Sequence, residues 1–209
     1  QGLTAGRAGS VNTYSVTQGA DYFAKNIHVS DHQFVFDLVC PHGNMEKLRL
    51  GLPGLHNVEN AIAAIAVAQD LKIDNDKIRS ALQSYTGVRR RFDCQLQTES
   101  ITYIDDYAHH PQELSACIGS VRTLYPGKKI TGIFQPHLFT RTRDFADDFA
   151  ESLSQLDELI LLDIYPAREL PIEGVSSQMI LDKVNLKNKK ICSKNELLAE
   201  ILGRDLEVV

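Results

Sequence analysis

From Ile101 onward the chain repeats one pattern: a short β-branched apolar run, a polar loop, then an amphipathic helical stretch. Ile101-Thr102-Tyr103-Ile104 and Ile130-Thr131-Gly132-Ile133-Phe134 are such runs. Leu114, Cys117, Ile118, Val121 and Leu124 form one helical stripe, and Phe145, Phe149, Leu153 and Leu156 form another. The pattern predicts strands near 101–105, 129–134, 158–163, 189–192 and 205–208. It places helices near 112–125, 143–156, 176–184 and 194–202, with an extra strand at 93–98. Strand–helix units joined by short loops require a mainly parallel sheet with helices on both faces. In such a sheet the loops that follow the strands gather at one edge, where ligands bind.

The earlier part has a different texture. Residues 33–40 are β-branched and aromatic, Pro41-His42-Gly43-Asn44 supplies a turn, and 45–50 reads as the returning strand. After the breaker Gly51-Leu52-Pro53-Gly54, an alanine-rich helix is expected from about His56 to Leu71, apolar enough to be largely buried. A second helix, about Asn75 to Tyr85, has Asp74 as its N-cap. A boundary is expected near Thr86-Gly87, giving domains 1–86 and 87–209.

Apolar residues make up 43% of the 209 and charged residues 23%, enough for a buried core in one or two domains. A net charge of -5 argues against a nucleic-acid surface, and no run approaches the roughly 18 apolar residues that span a bilayer. Cys40, Cys94, Cys117 and Cys192 are scattered, with no CxxC pair. They read as free buried thiols, and with no signal-peptide core at the start, a cytoplasmic protein is expected. The first part holds too little sheet for a finished domain, and the last strand has no helix after it, so a fragment is expected.

The polar loops carry the candidate chemistry. Asp105-Asp106-Tyr107-Ala108-His109-His110-Pro111 follows one strand, and Gln135-Pro136-His137-Leu138-Phe139-Thr140-Arg141 follows the next. A carboxylate at a strand end can accept from ribose hydroxyls. Arg141-Thr142-Arg143-Asp144 opens a helix, where backbone N–H groups favour anions. Asp163 to Glu169 supplies a third polar loop on the same rim. Adjacent His109 and His110 invite a metal, but neighbouring side chains in an extended loop diverge, so no metal is expected there. Asn57 and Asn60 share a face in a first helical turn; their spacing fits a purine edge or, more simply, capping of the helix. Arg89, Arg90 and Arg91 form a solvated face or, between two domains, a phosphate clamp.

Five stretches, GLHNVENA (54–61), RRRFD (89–93), DDYAHHPQE (105–113), FQPHLFTRTRDF (134–145) and DIYPARE (163–169), together resemble the ATP-dependent Mur ligases. The third and fourth are the more specific pair and resemble the alanine-adding branch of that family. The resemblance implies part of a central ATPase domain followed by a Rossmann-like C-terminal domain. It implies ATP and Mg2+ as cofactors, and UDP-N-acetylmuramate and L-alanine as substrates, with neither nucleic acid nor membrane as partner. His56, Asn57 and Asn60 would approach the adenine, Arg91 the phosphates, and Asp106 or Asp105 the ribose. Tyr107, His109, His137 and Arg141 would face the muramoyl substrate or the incoming alanine; His109, Arg91 and Arg141 are the expected catalytic groups. Leu138 departs from the family, several members of which carry a basic residue there. The family's glycine-rich phosphate loop is not found, since Gly127-Lys128-Lys129 is no such motif, and the UDP-binding domain and a glycine-containing segment after Val209 are not found either. This portion alone is therefore expected to be inactive.

Overall fold

The computed structural model describes residues 11–52 and 54–203. The chain divides into two compact units between Gly87 and Val88.

In the first unit, β1 (Tyr14–Ser15), β2 (Tyr22–Ser30), β3 (Gln33–Val39) and β4 (Met45–Leu50) form a sheet in that order. β1 and β2 run parallel; the other pairs are antiparallel. Helix α1 (Leu55–Asp70) buries Val58, Ala61, Ile62, Ile65, Ala66 and Gln69, a stripe at helical spacing. The expectation of a largely buried helix is corrected here. Val67 and Leu71 are 61% and 70% exposed, because only one stripe of α1 is covered. Helix α2 (Asn75–Ser84) starts as expected, with the Asp74 carboxylate accepting from the Asp76 N–H at 2.9 Å. Gly51 lets β4 turn against the end of α2: a Cβ there would lie 2.6 Å from the Tyr85 carbonyl oxygen.

The second unit opens with an antiparallel hairpin, β5 (Asp93–Gln97) and β6 (Thr102–Asp105). Helix α3 (Pro111–Leu124) follows, then β7 (Thr131–Phe134), α4 (Phe139–Asp144), α5 (Ala146–Leu153), β8 (Glu158–Leu162), α6 (Gln178–Lys183), β9 (Lys189–Cys192) and α7 (Lys194–Leu202). The parallel sheet has the order β7-β8-β9, with Ile133 opposite Ile160 and Leu161 opposite Ile191. β8 is its central strand and is buried on both faces. Leu159 and Leu161 pack with Leu114 and Ile118 of α3, Phe149 and Leu153 of α5, and Ile180 of α6. Ile160 and Leu162 point the other way, against Cys192 and Leu197 of α7. Helices therefore cover both faces, as the two-residue period of an apolar central strand demands.

Two details differ from the sequence pattern. Residues 101–105 were expected in the parallel sheet, but β6 takes β5 as its partner, so among the described residues the parallel sheet has three strands. The helix expected over 143–156 is two helices that break at Phe145, whose backbone leaves the helical region (φ -119°, ψ 21°) while its ring packs 5.0 Å from that of His110. The strand expected at 205–208 lies outside the described residues.

Candidate active site

The loops after β6, β7 and β8 form one rim of the second unit. Those after β7 and β8 are zipped together. Tyr165 N donates to the Pro136 carbonyl at 2.8 Å and Leu138 N to the Tyr165 carbonyl at 2.9 Å. The His137 ring stacks on Tyr165 with centroids 5.5 Å apart. The row continues through His109, 6.5 Å from His137, to Tyr107, 5.2 Å further on, which carries the Arg90 guanidinium over its face at 5.0 Å. Tyr107, His109 and His137 are thus brought together, with Tyr165 and Arg90 extending the row at its ends.

Arg141 lies in the first turn of α4, since that helix begins at Phe139 rather than at the arginine. Leu138 occupies the N-cap with φ 75°, a left-handed conformation that is costly for a bulky residue and characteristic of functional loops. Its side chain offers no cap. The Glu169 carboxylate does so instead, accepting from Thr140 N at 3.0 Å and from the Thr140 hydroxyl at 2.5 Å. Those bonds hold the Glu169 carboxyl below the usual range. The important residue pair is His137 and Arg141. Nδ1 of His137 and Nη1 of Arg141 are buried and have no hydrogen-bond partner. Burial, and then the nearby charges of Arg141 and His109, push the His137 imidazole down, so it is neutral near pH 7. A buried guanidinium nitrogen without an acceptor costs free energy until an anion supplies one.

The acidic residues divide their work. Both oxygens of Asp106 accept backbone N–H groups, from Phe92 at 2.7 Å and from Ala108 at 2.7 Å. Asp105 forms an ion pair with Arg90 at 3.5 Å. Of the three arginines, Arg90 is thereby committed to Asp105 and Tyr107, whereas Arg91 projects from the exposed turn that Asp106 pins. Asp106 faces backbone, and His110 turns away from His109 to Phe145. Among the described residues no three His, Cys, Asp or Glu side chains converge on a metal-sized space.

Glu113 was not singled out from the sequence. Its Oε2 accepts the backbone N–H of His109 at 3.0 Å and of His110 at 3.2 Å, and lies 3.2 Å from His109 Nδ1. Burial alone would raise its carboxyl, but these N–H groups and the charges of His109 and Arg91 hold it below the ordinary value. Its position, three residues after the N-cap His110, is the capping-box spacing and was the signal available. Tyr165 and Glu169 carry no local signal, because their partners lie on another loop.

In the first unit, His56, Asn57 and Asn60 lie in the first turns of α1. The capping reading of the asparagines is corrected: Gly54 takes the N-cap position, at φ 114°. The Asn60 amide is 3.5 Å from the Asn57 side-chain oxygen, so the two carboxamides share a face. The four cysteines form no disulfide with one another. Cys40 and Cys192 are buried, and burial pushes the Cys117 thiol up to about 12, whereas Cys94 is exposed, contrary to expectation.

Comparison with known proteins identifies the family. "Mur ligase, glutamate ligase domain" matches residues 90–205, more than half of the chain, and "Mur ligase middle domain" matches residues 3–68.

The chain belongs to the Mur ligase family.

It is 51% identical over 195 residues to the UDP-N-acetylmuramate–L-alanine ligase of Flavobacterium johnsoniae, covering 93% of this chain and 43% of that protein. It is 53% identical over 197 residues to the same-named ligase of Parabacteroides distasonis, covering 94% and 43%. Among solved structures it resembles the UDP-N-acetylmuramate–alanine ligase of Thermotoga maritima, with a TM-score of 0.75 at 26% identity over 92% of this chain and 42% of that one. This Mur ligase chain thus spans less than half the length of the curated relatives it matches.

Proposed function

We propose that the whole protein joins L-alanine to the lactyl carboxylate of UDP-N-acetylmuramate at the expense of ATP, in peptidoglycan precursor synthesis. The relatives at about half identity carry that name. Residues 1–86 would belong to the central ATPase domain and 87–209 to the C-terminal domain. The carboxylate would take the γ-phosphoryl of ATP to give an acyl phosphate, and the alanine amine would then displace phosphate. The portion described here is proposed to be inactive alone, and the protein to work in the cytoplasm.

One observation carries the reading: the unpartnered Arg141 Nη1 and His137 Nδ1 beside His109. A substrate carboxylate is the ligand chemistry that would satisfy the Arg141 Nη1 donor and, in the tautomer with hydrogen on Nδ1, the His137 ring at once. An amino acid held there by its carboxylate would present its amine one carbon away, toward the imidazole of His109, with Tyr107 lining the approach.

ATP, with Mg2+, would supply the phosphoryl group and the leaving phosphate. The residues present fit the nucleotide in part. Arg91 is exposed and free of the ion pair that occupies Arg90, and the paired carboxamides of Asn57 and Asn60, with His56, offer donors and acceptors for a purine edge. Of the two acids, Asp105 exchanges one surface ion pair to meet a ribose, whereas Asp106 would have to share oxygens already bound to backbone. Mg2+ is commonly held by one or two carboxylates plus substrate phosphates, so it needs no protein cage here. Phosphoryl transfer depends mainly on positioning and charge neutralisation, the role given to Arg91.

The test is phosphate release by the full-length gene product with ATP, Mg2+ and UDP-N-acetylmuramate, with and without L-alanine. Release that requires both the muramoyl nucleotide and alanine is expected. Release indifferent to either would overturn the proposal.

A further inference from the structure

Resting on that reading, we propose that Glu113 is a positioning residue that fixes the His109 imidazole in one tautomer, with Nε2 as the acceptor of the alanine amine's proton. The argument begins with hydrogen-bond chemistry. His109 Nδ1 lies 3.1 Å from the Tyr107 carbonyl oxygen and 3.2 Å from Glu113 Oε2. A carbonyl only accepts, and an ionised carboxylate only accepts. Nδ1 must therefore carry the hydrogen, and in the neutral ring Nε2 must carry the lone pair. The imidazole is also held from below, because the same Glu113 oxygen accepts the N–H of His109 itself and of His110. Glu113 is anchored in turn, as the third residue of α3. A carboxylate on one ring nitrogen and a free lone pair on the other is the arrangement that orients an imidazole for proton acceptance.

The side chain of His109 is 37% exposed, so a ligand can reach its free nitrogen. Its neighbours on the rim are Tyr107 on its own loop and His137, with Arg141 beyond, on the next.

The step balances. Alanine arrives as an ammonium ion and gives one proton to Nε2, which frees the lone pair. The nitrogen attacks the acyl carbon, an N–C bond forms, and the bond from that carbon to the phosphate oxygen breaks with its electron pair leaving on phosphate. The second N–H proton departs with hydrogen phosphate, and Nε2 passes its proton to water.

The experiment uses the full-length protein with 15N-labelled histidine. Two-bond proton–nitrogen correlations identify the tautomer of His109, assigned by its loss in His109→Ala. The wild type is expected to show hydrogen on Nδ1. Glu113→Gln keeps an oxygen for the helix cap but removes the charge. It is expected to mix the tautomers and lower kcat about tenfold, with the KM for ATP unchanged. Glu113→Ala should lower kcat further, while circular dichroism stays that of the wild type. His109→Ala should lose at least about a hundredfold in kcat, the usual worth of a positioned proton acceptor. Hydrogen on Nε2 in the wild type would overturn the proposal, as would a Glu113→Gln variant with unchanged tautomer, whatever its kcat. Unchanged kcat in His109→Ala would remove the proton-transfer role itself. Phosphate release that ignores alanine in the wild type would instead sink the ligase reading on which the proposal rests.

Discussion

Asp106 illustrates how a residue assigned to a ligand can be tested without one. Its two oxygens each accept a backbone N–H at 2.7 Å, one from Phe92, whose ring is 2% exposed, and one from Ala108. Asp106→Asn keeps the shape but turns one oxygen into an NH2 group. Whichever way the amide sits, one backbone N–H then faces another donor. A hydrogen bond to a charged group contributes about 1.5–3 kcal/mol, and the surviving neutral one about 1 kcal/mol. Loss of one bond and weakening of the other, discounted for partial exposure, comes to about 2 kcal/mol. That corresponds to local opening roughly thirtyfold more often. Hydrogen exchange of the ligand-free protein reads this directly: the amides of Phe92 and Ala108 should exchange about thirtyfold faster, while those of β8 are unchanged. If Asp106 served only to meet a nucleotide, exchange without ligand would match the wild type, and the pinning argument would be wrong. The consequence for function lies one residue away. Arg91 precedes Phe92, so the variant should also loosen the turn that presents it.

Phe149, 1% exposed in the core between α3, α5 and the sheet, should cost about 3–5 kcal/mol when replaced by alanine. Thermal unfolding should then fall by roughly 10–20 °C; a shift of only a few degrees would mean that the cavity collapses. Two glycines should respond in opposite directions. Gly51→Ala drives a Cβ to 2.6 Å from the Tyr85 carbonyl oxygen, backbone that cannot give way, and should destabilise by about 1–3 kcal/mol. Gly119→Ala, in open space inside α3, should stabilise by about 0.5–1 kcal/mol, and urea titration distinguishes the two. Glu169 gives a pH signature. Its carboxyl is held low by the Thr140 hydroxyl and N–H, so its stabilisation is complete above the unfolded value of about 4.3 and is lost as pH falls through the folded value. Glu169→Gln should flatten the stability–pH curve in that acidic window and lower it by a constant amount near pH 7, where its slope stays unchanged; an identical slope in the acidic window would show that the brace carries no charge dependence.

Periodicity made much of the architecture legible. Glu158–Leu162 could only be a central strand, since an unbroken apolar run of that length has no polar face to turn to water. Asp74 announced α2 because a short side-chain oxygen before a helix has one obvious partner, the next free N–H. Residues 101–105 were misassigned to the parallel sheet for an equally physical reason. Alternation specifies which face of a strand is buried, not which neighbour completes its backbone bonds, and β5 was the nearer partner. The break at Phe145 was invisible too, as the apolar stripe continues through it while the backbone turns to bring the ring against His110.

At the site the sequence by itself determined the chemistry on offer: two acids, the histidines and an arginine on loops that each follow a strand. It determined those residues because strand–loop–helix order and residue type are local properties. Only the tertiary structure decided their division of labour. Asp106 is bound to backbone and Asp105 to a guanidinium, Glu113 dictates where His109 carries its hydrogen, and Glu169 caps the helix that bears Arg141. Each of those outcomes depends on which donor lies within about 3 Å of which acceptor across separate loops, and hydrogen-bond geometry of that kind is set by packing rather than by spacing along the chain.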